Sequence, residues 1–220
     1  MDHKEHKKNA AKAALEYIED GVGALGIGTG STVNELIPLL PDYRDRIDSI
    51  VSSSEATTQL LTKAGFEGKS LNEVGNLDVY IDGADEATKH FDLLKGGGGA
   101  LTREKILAGA ARRFICIADE TKLVGMLGKF PLPIEVIPMA RSYVSRQIIK
   151  MRGQPFWREG FVTDNGNEII DVHNLSIVNP REMETRLNQI AGVVTVGLFA
   201  HRGADVLIIG NRKGVKVTQQ

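Results

Sequence analysis

The stretch Val22-Gly-Ala-Leu-Gly-Ile-Gly-Thr-Gly-Ser-Thr32 reads as strand, turn and helix in succession. Residues 22–27 form a short apolar run suited to a buried strand. Glycines at 26, 28 and 30 make a turn, and a helix is predicted over 32–40, ended by Pro41. Upstream, residues 4–20 predict a helix with Ala10, Ala11, Ala13, Ala14, Leu15 and Ile18 as its apolar positions, stopped by Gly21. Downstream, the pattern repeats: strand 47–52, helix 54–64, strand 77–82, helix 101–111, strand 113–118. Strands alternating with helices at this spacing predict βαβ units and a parallel sheet.

From Leu132 the order changes. Strand 132–137 is followed by helix 141–152. Strands 156–163 and 168–172 then flank the turn Asp164-Asn-Gly-Asn167, before helix 180–190 and strand 193–199. This β-α-β-β-α-β order is that of a ferredoxin-like unit. A last apolar strand, 206–209, is expected to return to the first sheet. The expected fold is therefore α/β: a Rossmann-like, mostly parallel sheet with helices on both faces over 1–130 and 203–220, plus a ferredoxin-like α+β insert over 131–202.

Composition narrows the function. The 220 residues are 42% hydrophobic and 25% charged, too apolar for disorder and too charged for a membrane bundle. The net charge of −1 gives no electrostatic footprint for nucleic acid or membrane. No apolar run reaches the roughly 18 residues of a spanning helix, and the N-terminus lacks a signal-peptide core. A single cysteine, Cys116, lies in an apolar run and is expected to be a buried small hydrophobe. The five histidines show no ligand spacing.

Four segments could carry chemistry, three of them at strand ends, where open parallel sheets bind ligands. Gly26-Ile-Gly-Thr-Gly-Ser-Thr32 offers backbone N–H groups and hydroxyls for a phosphate, or is a tight turn with Ser31 as helix cap. It lacks the third glycine of a dinucleotide fingerprint, since position 33 is Val33, and it lacks the lysine of a P-loop. Ser52-Ser-Ser-Glu-Ala-Thr57 offers hydroxyls at a helix start, or only a cap. Asp82-Gly-Ala-Asp-Glu86 crowds three carboxylates, which suits proton transfer, a divalent metal or a solvated acidic turn. Lys95-Gly-Gly-Gly-Gly-Ala-Leu-Thr-Arg-Glu-Lys105 holds four successive glycines, costly to order and suited to a backbone cradle for an anion, or to a linker. Glu104 falls in the first turn of the next helix.

Together and in this order, the four motifs resemble ribose-5-phosphate isomerase, type A, as do Ala118-Asp-Glu-Thr-Lys122 and Thr163-Asp-Asn-Gly-Asn167. The resemblance covers almost the whole chain. It implies aldose–ketose isomerisation of ribose 5-phosphate to ribulose 5-phosphate through an enediol(ate), in the non-oxidative branch of the pentose phosphate pathway. It implies Glu104 as the base that moves a proton between C2 and C1, Lys95 with the N–H groups of Gly96, Gly97 and Gly98 as charge stabilisers, and Asp82 and Asp85 as a second acid/base pair. Thr29, Gly30, Ser31, Thr32, Gly83, Ala84 and Lys122 are implied in substrate binding, with Lys8 as a further candidate for the phosphate. Neither cofactor nor metal is implied, and the expected partners are a sugar phosphate and a second copy of the chain, in the cytoplasm. Competing readings are a metal-assisted phosphohydrolase using Asp82, Asp85 and Glu86, and a sugar-phosphate sensor.

Overall fold

The computed structural model describes residues 3–18 and 20–220. Its helices are α1 (His3–Ala13), α2 (Val33–Leu36), α3 (Glu55–Lys63), α4 (Leu71–Val74), α5 (Leu101–Ala110), α6 (Arg141–Lys150) and α7 (Pro180–Asn188). The strands are β1 (Val22–Ile27), β2 (Ile47–Ser52), β3 (Leu77–Asp82), β4 (Glu86–Ala87), β5 (Leu93–Leu94), β6 (Ala111–Asp119), β7 (Leu132–Val136), β8 (Gln154–Trp157), β9 (Glu168–His173), β10 (Val193–Val196), β11 (Leu198–Phe199), β12 (Val206–Asn211) and β13 (Gly214–Gln219). The chain divides into two compact units: residues 1–84, 103–123 and 204–220, and residues 85–102 with 124–203.

The first unit is built on a six-stranded sheet in the order β13-β12-β6-β3-β1-β2, parallel except for the β12–β13 pair. Its parallel strands, taken in chain order, run 2-1-3-4-5 across the sheet, the doubly wound arrangement whose order reverses between β1 and β3. Alternate residues of these strands (Leu25 and Ile27, Val79 and Ile81, Ile115 and Ile117, Val206 and Ile208) share one core with Ala10, Ala11 and Ala14, Leu36 and Leu61. The period of two sends Tyr80, Asp82, Phe114 and Cys116 to the opposite face. There Tyr80 lies in register with Phe114, ring centroids 5.0 Å apart, and Asp82 with Cys116.

The second unit carries a four-stranded antiparallel sheet in the order β10-β7-β9-β8. With α6 and α7 as the connections, this is the 4-1-3-2 order of the ferredoxin-like unit. A smaller sheet, β11-β5-β4, belongs to the same unit.

The expected elements hold with informative exceptions. The predicted first helix is α1 followed by a 3-10 turn, Ala14–Ile18; of its expected last residues, Glu19 lies outside the described ones. The helix expected over 32–40 is α-helical only to Leu36 and continues as a 3-10 helix, Ile37–Arg46, beyond Pro41. Pro38 and Pro41 have no N–H to donate, so the i→i−4 ladder stops there. The strand expected over 156–163 ends at Trp157, while the turn forms as predicted, with Thr163 N–H on Asn167 O at 2.9 Å. The run 193–199 is two strands: Gly197 N–H turns to Pro133 O, and Gly197 O accepts from Lys95 N–H, so Leu198–Phe199 joins the other sheet. These bonds, with β4 and β5, draw 85–102 and 124–130 into the second unit, which is therefore larger than the 131–202 expected. Among the described residues no helix is long and apolar enough to cross a membrane.

Candidate active site

In the first unit the site grows from the point where the strand order reverses. β1 ends in the glycine turn, and β3 ends in Asp82. Gly28 N–H bonds Ile81 O at 2.9 Å, which brings the two strand ends together. A Cβ on Gly28 would lie 1.9 Å from the Asp82 carboxyl, so only glycine lets the carboxylate sit against this turn. Asp82 is fully buried and accepts from Thr29 N–H at 3.0 Å, from Gly83 N–H at 2.7 Å and from the Tyr80 hydroxyl. Those donors compensate the burial of the charge.

Tyr80 is also fully buried. Its phenol is held well above the ordinary tyrosine range, first by burial and then by the negative charges of Asp82 and Glu104. It is a neutral donor under ordinary conditions. Glu104, 4% exposed in the first turn of α5, is thus a buried carboxylate whose charge acts on this phenol. An Arg103–Glu55 ion pair at 2.8 Å ties the start of α5 to the start of α3.

The serine-rich segment is a brace. Ser54 caps α3, accepting from Thr57 N–H at 3.1 Å. Thr29 Oγ1 lies 2.8 Å from both Ser53 Oγ and Ser54 Oγ, and Thr57 Oγ1 donates to Gly28 O at 2.8 Å. The hydroxyls thus hold the glycine turn from behind. Ser31 does not cap α2; its residue at the cap is Thr32, which makes no side-chain cap bond. Ser31 is exposed and accepts from Lys7 Nζ at 2.9 Å. Lys7 is thus the lysine that meets this turn, and Lys8, the further candidate for the phosphate, is exposed one position further along α1. Lys122 is half-buried in the 3-10 turn Glu120–Lys122 that follows β6, a turn capped by Asp119.

After Ala84 the chain enters the second unit. Asp85 is half-buried and accepts from Gly97 N–H at 2.8 Å. Lys95 is 2% exposed, its Nζ 5.5 Å from the centroid of the Phe199 ring. The glycine run is a closed turn, with Gly99 N–H on Gly96 O at 2.9 Å. Part of its glycine content answers to packing, because a Cβ on Gly97 would lie 2.7 Å from Asp85 Oδ1. Gly98 is exposed.

Glu86, the third acid of the cluster, is 3% exposed and accepts from Gly128 N–H at 2.7 Å and Phe130 N–H at 2.6 Å. Its oxygens hold a loop, so the ligand set of the phosphohydrolase reading does not assemble. Among the described residues no three His, Cys, Asp or Glu side chains converge as a metal site. The turn at 163–167 is anchored by Glu135. This fully buried carboxylate accepts from Thr163 Oγ1 at 2.9 Å, Asn165 Nδ2 at 3.1 Å, Asn167 Nδ2 at 2.8 Å and the hydroxyl of Thr102.

Sequence reasoning missed Lys7, Tyr80 and Arg158, whose guanidinium meets the glycine loop. Tyr80 carries a faint signal, since it stands two residues before Asp82 on a strand and so shares its face. Lys7 and Arg158 carry none, because their partners are distant in sequence.

The family model for ribose 5-phosphate isomerase A (phosphoriboisomerase A) matches residues 49–214. Ribose 5-phosphate isomerase A from Neisseria gonorrhoeae superimposes with a TM-score of 0.96 at 47% identity, covering 99% of this chain and 97% of that one. A D-ribose-5-phosphate isomerase solved with phospho-erythronic acid gives 0.95 at 40%, with full coverage of both chains. The enzyme from Methanocaldococcus jannaschii gives 0.93 at 36%, again with full coverage of both. With more than half the chain matched and near-complete superposition at these identities, the chain belongs to the ribose 5-phosphate isomerase A family.

Proposed function

We propose that the protein interconverts ribose 5-phosphate and ribulose 5-phosphate by proton transfer through an enediolate. The observation that carries this reading is the charge arrangement at the β1–β3 strand ends. There Asp82 and a phenol kept neutral, Tyr80, share one sheet face, and the charge of a buried carboxylate, Glu104, acts on that phenol. Isomerisation needs a base that takes the C2 proton and returns it at C1, and one carboxylate serves both steps on the same face of the sugar. Glu104 has that role.

Negative charge moves between O1 and O2 during the reaction. Lys95, a buried cation, and the N–H groups of the loop from Gly96 to Gly98 are suited to stabilise it. The environments of the two aspartates divide the remaining work. Asp82, which accepts from Thr29 N–H, Gly83 N–H and the Tyr80 hydroxyl, orients the turn and Tyr80. Asp85, half-buried with Gly97 N–H on one oxygen, keeps the accessibility needed to move the hydroxyl proton and open the furanose ring. Thr29, Gly30, Ser31 and Thr32, with Lys7 and Lys122, are assigned to the phosphate, and Gly83 and Ala84 to the sugar. The Lys7–Ser31 contact supports that cradle. Enediolate chemistry of this kind requires neither metal nor cofactor. A homodimer in the cytoplasm goes with this reading, and sedimentation velocity checks the dimer.

The test is proton NMR of ribose 5-phosphate with the protein in D₂O containing EDTA. Ribulose 5-phosphate should form with deuterium entering at the carbon that receives the proton. No conversion overturns the reading, and phosphate release on adding Mg²⁺ would replace it with hydrolysis.

A further inference from the structure

Arg158 lies just beyond β8, where the expected strand breaks off. Its Nε donates to Asp171 Oδ2 at 2.8 Å and its Nη2 to Asp171 Oδ1 at 2.5 Å. This two-point pair is about one-fifth exposed on each side, at 19% and 21%, and it fixes the plane of the guanidinium. The Phe161 ring packs over it, 5.3 Å from Cζ to centroid. So fixed, Nη1 donates to Gly97 O at 3.0 Å, and both terminal nitrogens reach Gly96 O at 3.4 Å.

Those two carbonyls belong to successive peptides of the glycine loop, and neither peptide is cis. In a trans peptide the N–H points opposite to the C=O. With Gly96 O and Gly97 O drawn to the guanidinium, the N–H groups of Gly97 and Gly98 are turned away from it. Gly97 N–H meets Asp85 Oδ2, which identifies the side to which both donors point. Gly98 on that side is exposed. The Gly96–Gly97 peptide is also held by Gly99 N–H on Gly96 O and by Asp85 on Gly97 N–H, whereas the Gly97 carbonyl is turned by the cation behind the loop.

We infer that Arg158, held by Asp171, is a positioning residue that fixes the Gly97–Gly98 peptide so that its dipole points toward the anion formed in the reaction. This rests on the assignment of residues 95–98 to the substrate. Aligned donors cost no reorganisation when charge develops, and their effect falls on the transition state more than on the bound sugar. A lysine keeps the charge but cannot reach the aspartate and two carbonyls together.

The experiment compares Arg158→Gln, Arg158→Lys and Asp171→Asn with Lys95→Ala as reference. It measures kcat and KM for ribose 5-phosphate and inhibition by phospho-erythronic acid, whose planar carboxylate spreads its charge over two oxygens as the enediolate does. Arg158→Gln should lower kcat about 10- to 100-fold, part of the effect of deleting an oxyanion donor, with KM within about threefold. Affinity for the acid should weaken by about the same factor as kcat. Arg158→Lys should recover less than half of the loss on a logarithmic scale, and Asp171→Asn should lose roughly three- to tenfold. Folded Arg158→Gln with kcat within about twofold of the unmodified protein overturns the inference. A kcat loss that leaves affinity for the acid unchanged does the same. If Arg158→Gln fails to fold, Asp171→Asn decides by the same two criteria. Lys95→Ala separates the two layers: if it alters none of the three readouts, the loop assignment itself falls; if it alters them while Arg158→Gln does not, only the role of Arg158 falls.

Discussion

The two units bury their acids for different ends. In the parallel unit Asp82 stands at the carboxyl end of a strand and accepts from the glycine turn 53 residues back, from the next residue and from a phenol two positions back. In the antiparallel unit Glu135 takes its donors from side chains 28 to 33 residues away, and Glu86 from backbone 42 and 44 residues away. The first kind of burial fixes a charge at the place where parallel sheets bind ligands. The second uses a charge to fasten distant segments to each other. Burial of a carboxylate thus does not by itself mark a catalytic acid; its place at the carboxyl end of a parallel strand, or away from one, separates the two uses.

The same glutamate-to-glutamine change in each unit tests that distinction. Glu104→Gln should lower kcat at least about 10²-fold while the melting temperature stays close to that of the unmodified protein. Glu135→Gln removes the charge from a site built of four donors. It should cost about 2 kcal/mol in urea unfolding, with kcat of the folded protein within about threefold. Exchange of these two outcomes would break the comparison.

A smaller effect sharpens it at Tyr80. Tyr80→Phe removes one donor from a buried carboxylate and should cost about 1–2 kcal/mol near neutral pH. The folded phenol titrates above its unfolded value, so its contribution is fully present below about pH 10 and is lost as pH rises toward the folded value. The gap between unmodified protein and variant should therefore narrow in urea titrations above pH 10. The smallest expected effect is at Asp92 in the second unit, whose carboxyl is held above its ordinary range by burial, against the opposing influence of Arg181 and His90. Such a group contributes stability below its unfolded pKa and loses it as pH rises through the folded one. Asp92→Asn should accordingly raise the melting temperature by about one degree at pH 7, and the gain should vanish below about pH 4.

Sequence legibility follows the same division. The bounds of β1, β2 and β3 are legible because each is a short stretch with aliphatic residues set between helical patterns and turn residues, a purely local pattern. The four motifs were legible for the same reason, each being a strand end or a helix start. The end of β8 was not, because what draws the chain out of the sheet at Arg158 is an aspartate 13 residues on and a loop some 60 residues back. β13 is not read from the sequence because its alternation, Val215 and Val217 with Lys216 and Thr218, is only two apolar residues long and mostly exposed. The unit boundary was misplaced because β5 pairs with β11, a contact that no local pattern announces.

That last pairing has a consequence for how the enzyme comes into being. The segment before the lysine and glycine loop is completed by a strand roughly 100 residues later in the chain, and Lys95 N–H is received by Gly197 O. During vectorial synthesis on the ribosome, the parallel strands near the N-terminus have neighbours early, whereas this loop waits for residues 197–199 to emerge. A nascent chain stalled before residue 197 would carry Glu104 and Asp82 without the backbone that holds Lys95 in place. Such a chain holds Lys95 in its sequence but lacks the carbonyl that receives its N–H and the strand that pairs with the segment before it.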